Sequence, residues 1–72
     1  MNADDMLLKL TEETMADEGL VEEIADMMAV MRFEDGNTVA RAIAEHLEEH
    51  YCYKYEEFGN WLDLAHEISF RI

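Results

Sequence analysis

Apolar side chains recur at helical spacing through most of the chain. Met6, Leu7, Leu10 and Met15 mark a first amphipathic segment, and Ala3 to Ala16 reads as a helix that Asn2 can cap, with Asp5 three residues on in a capping-box arrangement. Leu20, Val21, Ile24, Met27, Met28 and Met31 follow the i, i+3, i+4, i+7 pattern, with Glu22, Glu23 and Asp26 on the opposite face, and predict a second helix. Glu34-Asp35-Gly36-Asn37 reads as a turn in which Asn37 caps a third helix. The inward stripe of that helix is Val39, Ala40, Ile43, Leu47 and Tyr51, and Arg41, Glu45, Glu48 and Glu49 face outward. Asn60 with Asp63 three residues later repeats the capping spacing, and Trp61, Leu62, Leu64, Ala65 and Ile68 supply a fourth helix. The glycines Gly19, Gly36 and Gly59 fall between these segments and suit turns.

Two stretches carry a competing signal. Tyr51-Cys52-Tyr53-Lys54-Tyr55 places an aromatic at every second position, and Ile68-Ser69-Phe70-Arg71-Ile72 alternates, so each also fits a strand. Alanine, leucine, methionine and glutamate dominate and proline is missing, which favours helix. The expected fold is therefore all-α, a small compact bundle of three to four short helices. The fallback is an α+β fold with a short C-terminal β-ribbon. No repeat, linker or low-complexity tract divides the chain, and residues 1–72 are read as a single acidic helical domain.

Composition narrows the function classes. The 72 residues carry 18 acidic against 5 basic side chains, a net charge of -13, yet half of them are hydrophobic, so the signature of intrinsic disorder is absent. A chain this short builds one small core, which disfavours an enzyme with an enclosed substrate pocket. The charge opposes direct binding to DNA, RNA or anionic lipid. The lone Cys52 cannot form an internal disulfide, and Asp4 and Asp5 stand where a secretion signal carries basic residues, so a cytoplasmic location is expected. No apolar run approaches the length of a membrane span.

The segment His46-Leu47-Glu48-Glu49-His50 fits the H-x-x-E-H pattern of a group of zinc peptidases, in which two histidines one turn apart hold zinc and a glutamate activates water. A domain this small has little room for a distant third ligand and a cleft, and such a string arises readily in a glutamate-rich helix. His46 and His50, joined by Cys52 or His66, remain candidates for a structural zinc, though Cys52 points to a different helix face from His50. The expectation is no catalytic residue, no cofactor and a solvated helix face. Cys52 lacks a basic neighbourhood to lower its pKa, and Ser69, the only serine, has no nucleophile elbow. Ala42 occupies the position where a calcium loop built on Gly36 needs its glutamate, and no glycine-rich phosphate loop exists.

The acids come in pairs and triplets at helical spacing, where like charges destabilise by a few tenths of a kcal/mol per pair. A domain selected for stability and solubility alone does not need so many. The reading favoured here is a non-enzymatic nucleic-acid mimic. Glu22, Glu23, Asp26, Glu45, Glu48, Glu49, Glu56 and Glu57 would occupy the basic surface of a nucleic-acid-binding protein in place of phosphates. Small acidic proteins of that character occur among phage anti-defence proteins, including inhibitors of CRISPR effectors and restriction enzymes. The alternative is an interaction module or homodimer that docks through an aromatic patch from Tyr51 to Trp61, with Tyr53 and Tyr55 its exposed members. Met27, Met28 and Met31 are expected to fill the core.

Overall fold

The structure, a computed structural model, describes residues 3–72, the side chains of Ala3, Cys52 and Tyr53 excepted. Among the described residues the fold is all-α, with helices α1 (Ala3–Ala16), α2 (Glu18–Val30), α3 (Gly36–Tyr55) and α4 (Trp61–Arg71). The Asn2 cap proposed for α1 lies outside the described residues. A single residue, Asp17, separates α1 from α2. Its backbone turns extended, its N–H donates to the Thr14 carbonyl at 3.1 Å, and its carboxylate accepts from Leu20 N–H at 3.2 Å. The break is thus made by an N-cap aspartate, and Gly19 sits inside the first turn of α2 where a turn had been expected.

The cap of α3 is also displaced from its expected position. Asp35, in extended conformation, accepts Thr38 N–H at 2.8 Å, while Gly36 and Asn37 already belong to the first turn. A carboxylate accepts that third amide and also meets the positive end of the helix dipole, so aspartate outcompetes the asparagine two residues on. The bond from Thr38 N–H, with a second from its side chain, holds the Asp35 carboxyl below its ordinary pKa. Asn60 does stand at the start of α4 and its carbonyl accepts Leu64 N–H at 3.0 Å, but its side chain makes no capping bond.

Helix α3 runs through the alternating aromatics, so no ribbon forms there, and α4 continues through the other alternating stretch to Arg71. Tyr51 and Tyr55 satisfy a two-residue alternation and an i, i+4 helical repeat at once. As a helix they extend the buried stripe of Ala40, Ile43, Ala44 and Leu47 by two more turns. At 20 residues α3 spans about 30 Å and is not a short helix. It packs on both α2 and α4, and α1 packs on α4 and α2. The radius of gyration, 11.5 Å, is close to the ~11 Å expected for a folded chain of this length.

Leu10, Leu20, Ile24, Ile43, Leu47, Leu64, Ala65 and Ile68 form the aliphatic core, closed at one end by Tyr51, Tyr55, Phe58 and Trp61. Met6, Leu7, Met15, Met27, Met28 and Val39 pack against it half-buried. The Trp61 ring stacks on Tyr51 at 6.3 Å and 11° and meets the Phe58 ring edge-on at 4.9 Å. Two threonines that the apolar pattern passes over are fully inward. The Thr11 hydroxyl donates to the Leu7 carbonyl at 2.7 Å, and the Thr14 hydroxyl meets the Tyr51 hydroxyl at 3.0 Å. Among the described residues every buried side-chain nitrogen and oxygen has a partner.

Candidate acidic docking face

Helices α2 and α3 lie side by side, and two histidine–carboxylate contacts mark their seam. His46 Nε2 and Glu23 Oε2 are 2.9 Å apart, and His50 Nε2 stands 4.0 Å from Asp17 Oδ2. The pairs 46 with 23 and 50 with 17 show that the helices run antiparallel. His46 and His50 therefore share one face of α3, as their spacing requires, but that face meets α2 carboxylates. His66 borders a separate cleft with Asp35 and Arg41 at the start of α3. The Cys52 side chain is outside the description, and among the described residues no group of three or more histidine, cysteine or carboxylate side chains is arranged to hold a metal.

All the carboxylates singled out from the sequence are exposed: Glu22, Glu23 and Asp26 on α2, Glu45, Glu48 and Glu49 on α3, and Glu56 and Glu57 in the turn after it. Together they make an acidic band spread over two adjoining helices and the turn that follows. On one flank Glu23 reaches His46; on the other Glu45, Glu48 and Glu56 border an open cleft of about 530 Å³ that also touches Phe58 and Trp61. Residue 45 is one turn before both 48 and 49, so its side chain leaves the helix about 5–6 Å from each of theirs.

The basic side chains are placed mostly elsewhere. Lys54 Nζ donates to Glu13 Oε1 at 3.1 Å, and the ammonium groups of Lys9 and Lys54 lie 5.5 and 5.7 Å from the centre of the Tyr55 ring. Arg71 pairs with Glu67 at 3.3 Å, and the Arg32 guanidinium sits 4.8 Å from the centre of the Phe33 ring. Arg41 alone among the five borders the cleft of Glu45 and Glu48. The band is thus more acidic than composition by itself requires.

The aromatic patch does not share this exposure. Tyr55, expected at the surface, is buried, and its hydroxyl donates to Glu13 Oε2 at 2.9 Å. Tyr51, Phe58 and Trp61 are buried with it, and the Tyr53 side chain lies outside the description. Large rings are the best available fill for a small core, and the carboxylate of Glu13 satisfies the one polar atom of Tyr55. Among the described residues Phe33 and Phe70 are exposed phenylalanines, neither of them placed in the aromatic patch from the sequence.

Glu13 ties α1 to the end of α3. The hydrogen bond from Lys54 holds its carboxyl below the usual range, with help from Tyr55 and against the opposing effect of burial. A depressed pKa in the folded state contributes stability that is fully present above the unfolded value near 4.5 and is lost as pH falls through the folded one. Glu13→Gln is accordingly expected to flatten the fall of Tm with pH across the window just below 4.5, for a loss at neutral pH of up to about 1 kcal/mol. Thermal melts of both proteins at matched ionic strength measure it. An unchanged acid limb removes Glu13 as its source.

Fold and surface together define a small acidic helical protein with a band of carboxylates on two adjoining helices. No family model matches the chain, and no curated protein or solved structure matches it either. Among the described residues no helix is long and apolar enough to cross a membrane.

Proposed function

We propose that the protein is a non-enzymatic inhibitor that imitates nucleic-acid phosphates and occupies the basic nucleic-acid-binding surface of a target protein, as an anti-defence protein of the anti-restriction or anti-CRISPR type would. One observation carries the reading. Glu22, Glu23, Asp26, Glu45, Glu48 and Glu49 are all exposed on two antiparallel neighbours, while four of the five basic side chains are engaged away from them. Carboxylates one helical turn apart have a spacing of the order of successive phosphates, and lysines and arginines that neutralise phosphates can bond to carboxylates equally well. The protein's own charge would steer it quickly onto a basic cleft. Burial of Tyr55, Phe58 and Trp61 weighs against docking through the aromatic patch.

The test is competition. Purified restriction endonucleases, DNA glycosylases and CRISPR effector complexes, each loaded with labelled DNA, are titrated with the protein, and release is followed by fluorescence anisotropy. At least one is expected to release its DNA, with an apparent affinity that falls about tenfold or more between about 50 and 200 mM salt. Isolated carboxylates carry no condensed counterions, so the fall should be gentler than for DNA itself. A variant with the six carboxylates changed to their amides should keep its helical fold and lose the competition. Release that is independent of salt, equal release by the amide variant, or no release from any of these targets overturns the proposal.

A further inference from the structure

The end of the bundle where α2 stops, α3 starts and α4 stops differs from the rest of the surface. Val30, Phe33 and Phe70 are 84%, 89% and 85% exposed, and Phe70 borders a cleft of about 320 Å³ that Met28, Met31 and Val39 also line, with Arg32 and Glu34, the neighbours of Phe33, at its edge. Three large apolar side chains exposed almost completely, at or just past the ends of α2 and α4, are unusual for a surface with no partner.

The charges around this end are balanced. Arg32 and Glu34 line the cleft, and Arg71 pairs with Glu67 next to Phe70. Asp35 and Arg41 offset each other on the first turns of α3. The acidic band begins a turn away, at Asp26. The net charge of -13 is therefore carried by the rest of the molecule.

We infer that this end is a self-association surface that takes a second copy of the chain in an isologous pair. Two copies each charged -13 repel wherever their acidic bands approach, and the balanced apolar end is where they can meet at least cost. A two-fold contact requires a patch complementary to itself, and equal numbers of arginines and carboxylates around an apolar centre meet that condition. A basic target finds no excess of negative charge here, and a nucleic acid finds no excess of positive charge. Two phenylalanines at about 150–250 Å² each, with Val30 and the flanking methionines, offer on the order of 400–500 Å² per copy. The pair then buries about 800–1,000 Å² in all, at or just under the ~1,000 Å² of a specific interface, and a weak dissociation constant, micromolar or above, is expected. Of the band, Asp26 adjoins this surface one turn before Val30, whereas Glu45, Glu48 and Glu49 lie farther along α3 and stay uncovered in the pair.

Sedimentation velocity across protein concentrations from about 1 to 500 μM, at about 50 and 500 mM salt, tests the inference. The protein is expected to pass from monomer to dimer as concentration rises, and to do so more readily at high salt, because screening relieves repulsion between the copies. That sign is opposite to the one expected for mimicry, so either reading can fail without the other. Phe33→Glu and Phe70→Glu, both at exposed positions, should retain the helical signal and remain monomeric throughout. Arg32→Glu, which tips the patch acidic, should weaken the pair at low salt more than at high salt. A wild-type protein that stays monomeric at the highest concentration and salt, or a dimer that survives both phenylalanine changes, overturns it.

Discussion

Replacing Trp61 with alanine is expected to cost most of the stability of this protein. The ring is 8% exposed, lies nearly parallel to Tyr51 and meets the edge of Phe58, so it joins the first turn of α4, the turn before it and the last turns of α3. Removing a buried tryptophan typically costs about 3–5 kcal/mol, including the cavity left behind. A core in a domain of this size rarely supplies more than about 3–5 kcal/mol in all, and here repulsion among the carboxylates is subtracted from it. Trp61→Ala should therefore show little cooperative unfolding by circular dichroism at room temperature. Trp61→Phe, which keeps a ring between Tyr51 and Phe58, should unfold cooperatively at a lower urea midpoint. An alanine variant that melts within a few degrees of the wild type would falsify this account of the aromatic end.

The second large effect concerns one hydrogen bond. Thr14 is fully buried and Tyr51 is 5% exposed, and their hydroxyls bond at 3.0 Å across α1 and α3. Tyr51→Phe leaves the threonine hydroxyl without its partner in a dry site, at a cost of about 1–3 kcal/mol. Thr14→Val strands the phenol in the same way. The double variant removes both polar groups together and should cost clearly less than the two single changes added, a coupling that urea melts of the four proteins measure directly. Additive losses would mean that the two hydroxyls contribute separately.

Tyr51 also sets an alkaline limit. Burial, reinforced by the nearby carboxylates of Glu13 and Asp17, raises its pKa above 10 against the lowering effect of the Thr14 bond. With the folded pKa raised, the stability this group contributes is fully present below pH 10 and is lost as pH climbs through the folded value. Tyr51→Phe should accordingly be less stable near neutrality yet lose less on going to alkaline pH.

The aromatic segment shows how far local pattern reaches. Tyr51 and Tyr55 are compatible with both periods, and strand or helix was open from their spacing. Packing decided it, because as a helix both rings reach Thr14, Glu13 and Trp61, and those partners come from other helices. The same cause moved Tyr55 from an expected surface position into the core. The acidic band was more legible. Glu22, Glu23, Asp26, Glu45, Glu48 and Glu49 oppose the apolar stripes of their own helices, and the faces they occupy follow from the 3.6-residue repeat. The places of the basic side chains were not legible, since Lys9 and Lys54 meet at Tyr55 through a contact between α1 and α3.

The sequence by itself determined helical content, the apolar stripe of each helix and the sign of the surface. These follow from residue propensity, period and charge count, all of them local or additive quantities. Tertiary structure decided which caps formed, which rings were enclosed, and that an acidic band adjoins a balanced apolar end. Each of those depends on which helix faces meet. That choice rests on packing and on side-chain partners such as Glu13 with Lys54 or Thr14 with Tyr51, drawn from positions about 40 residues apart in the chain.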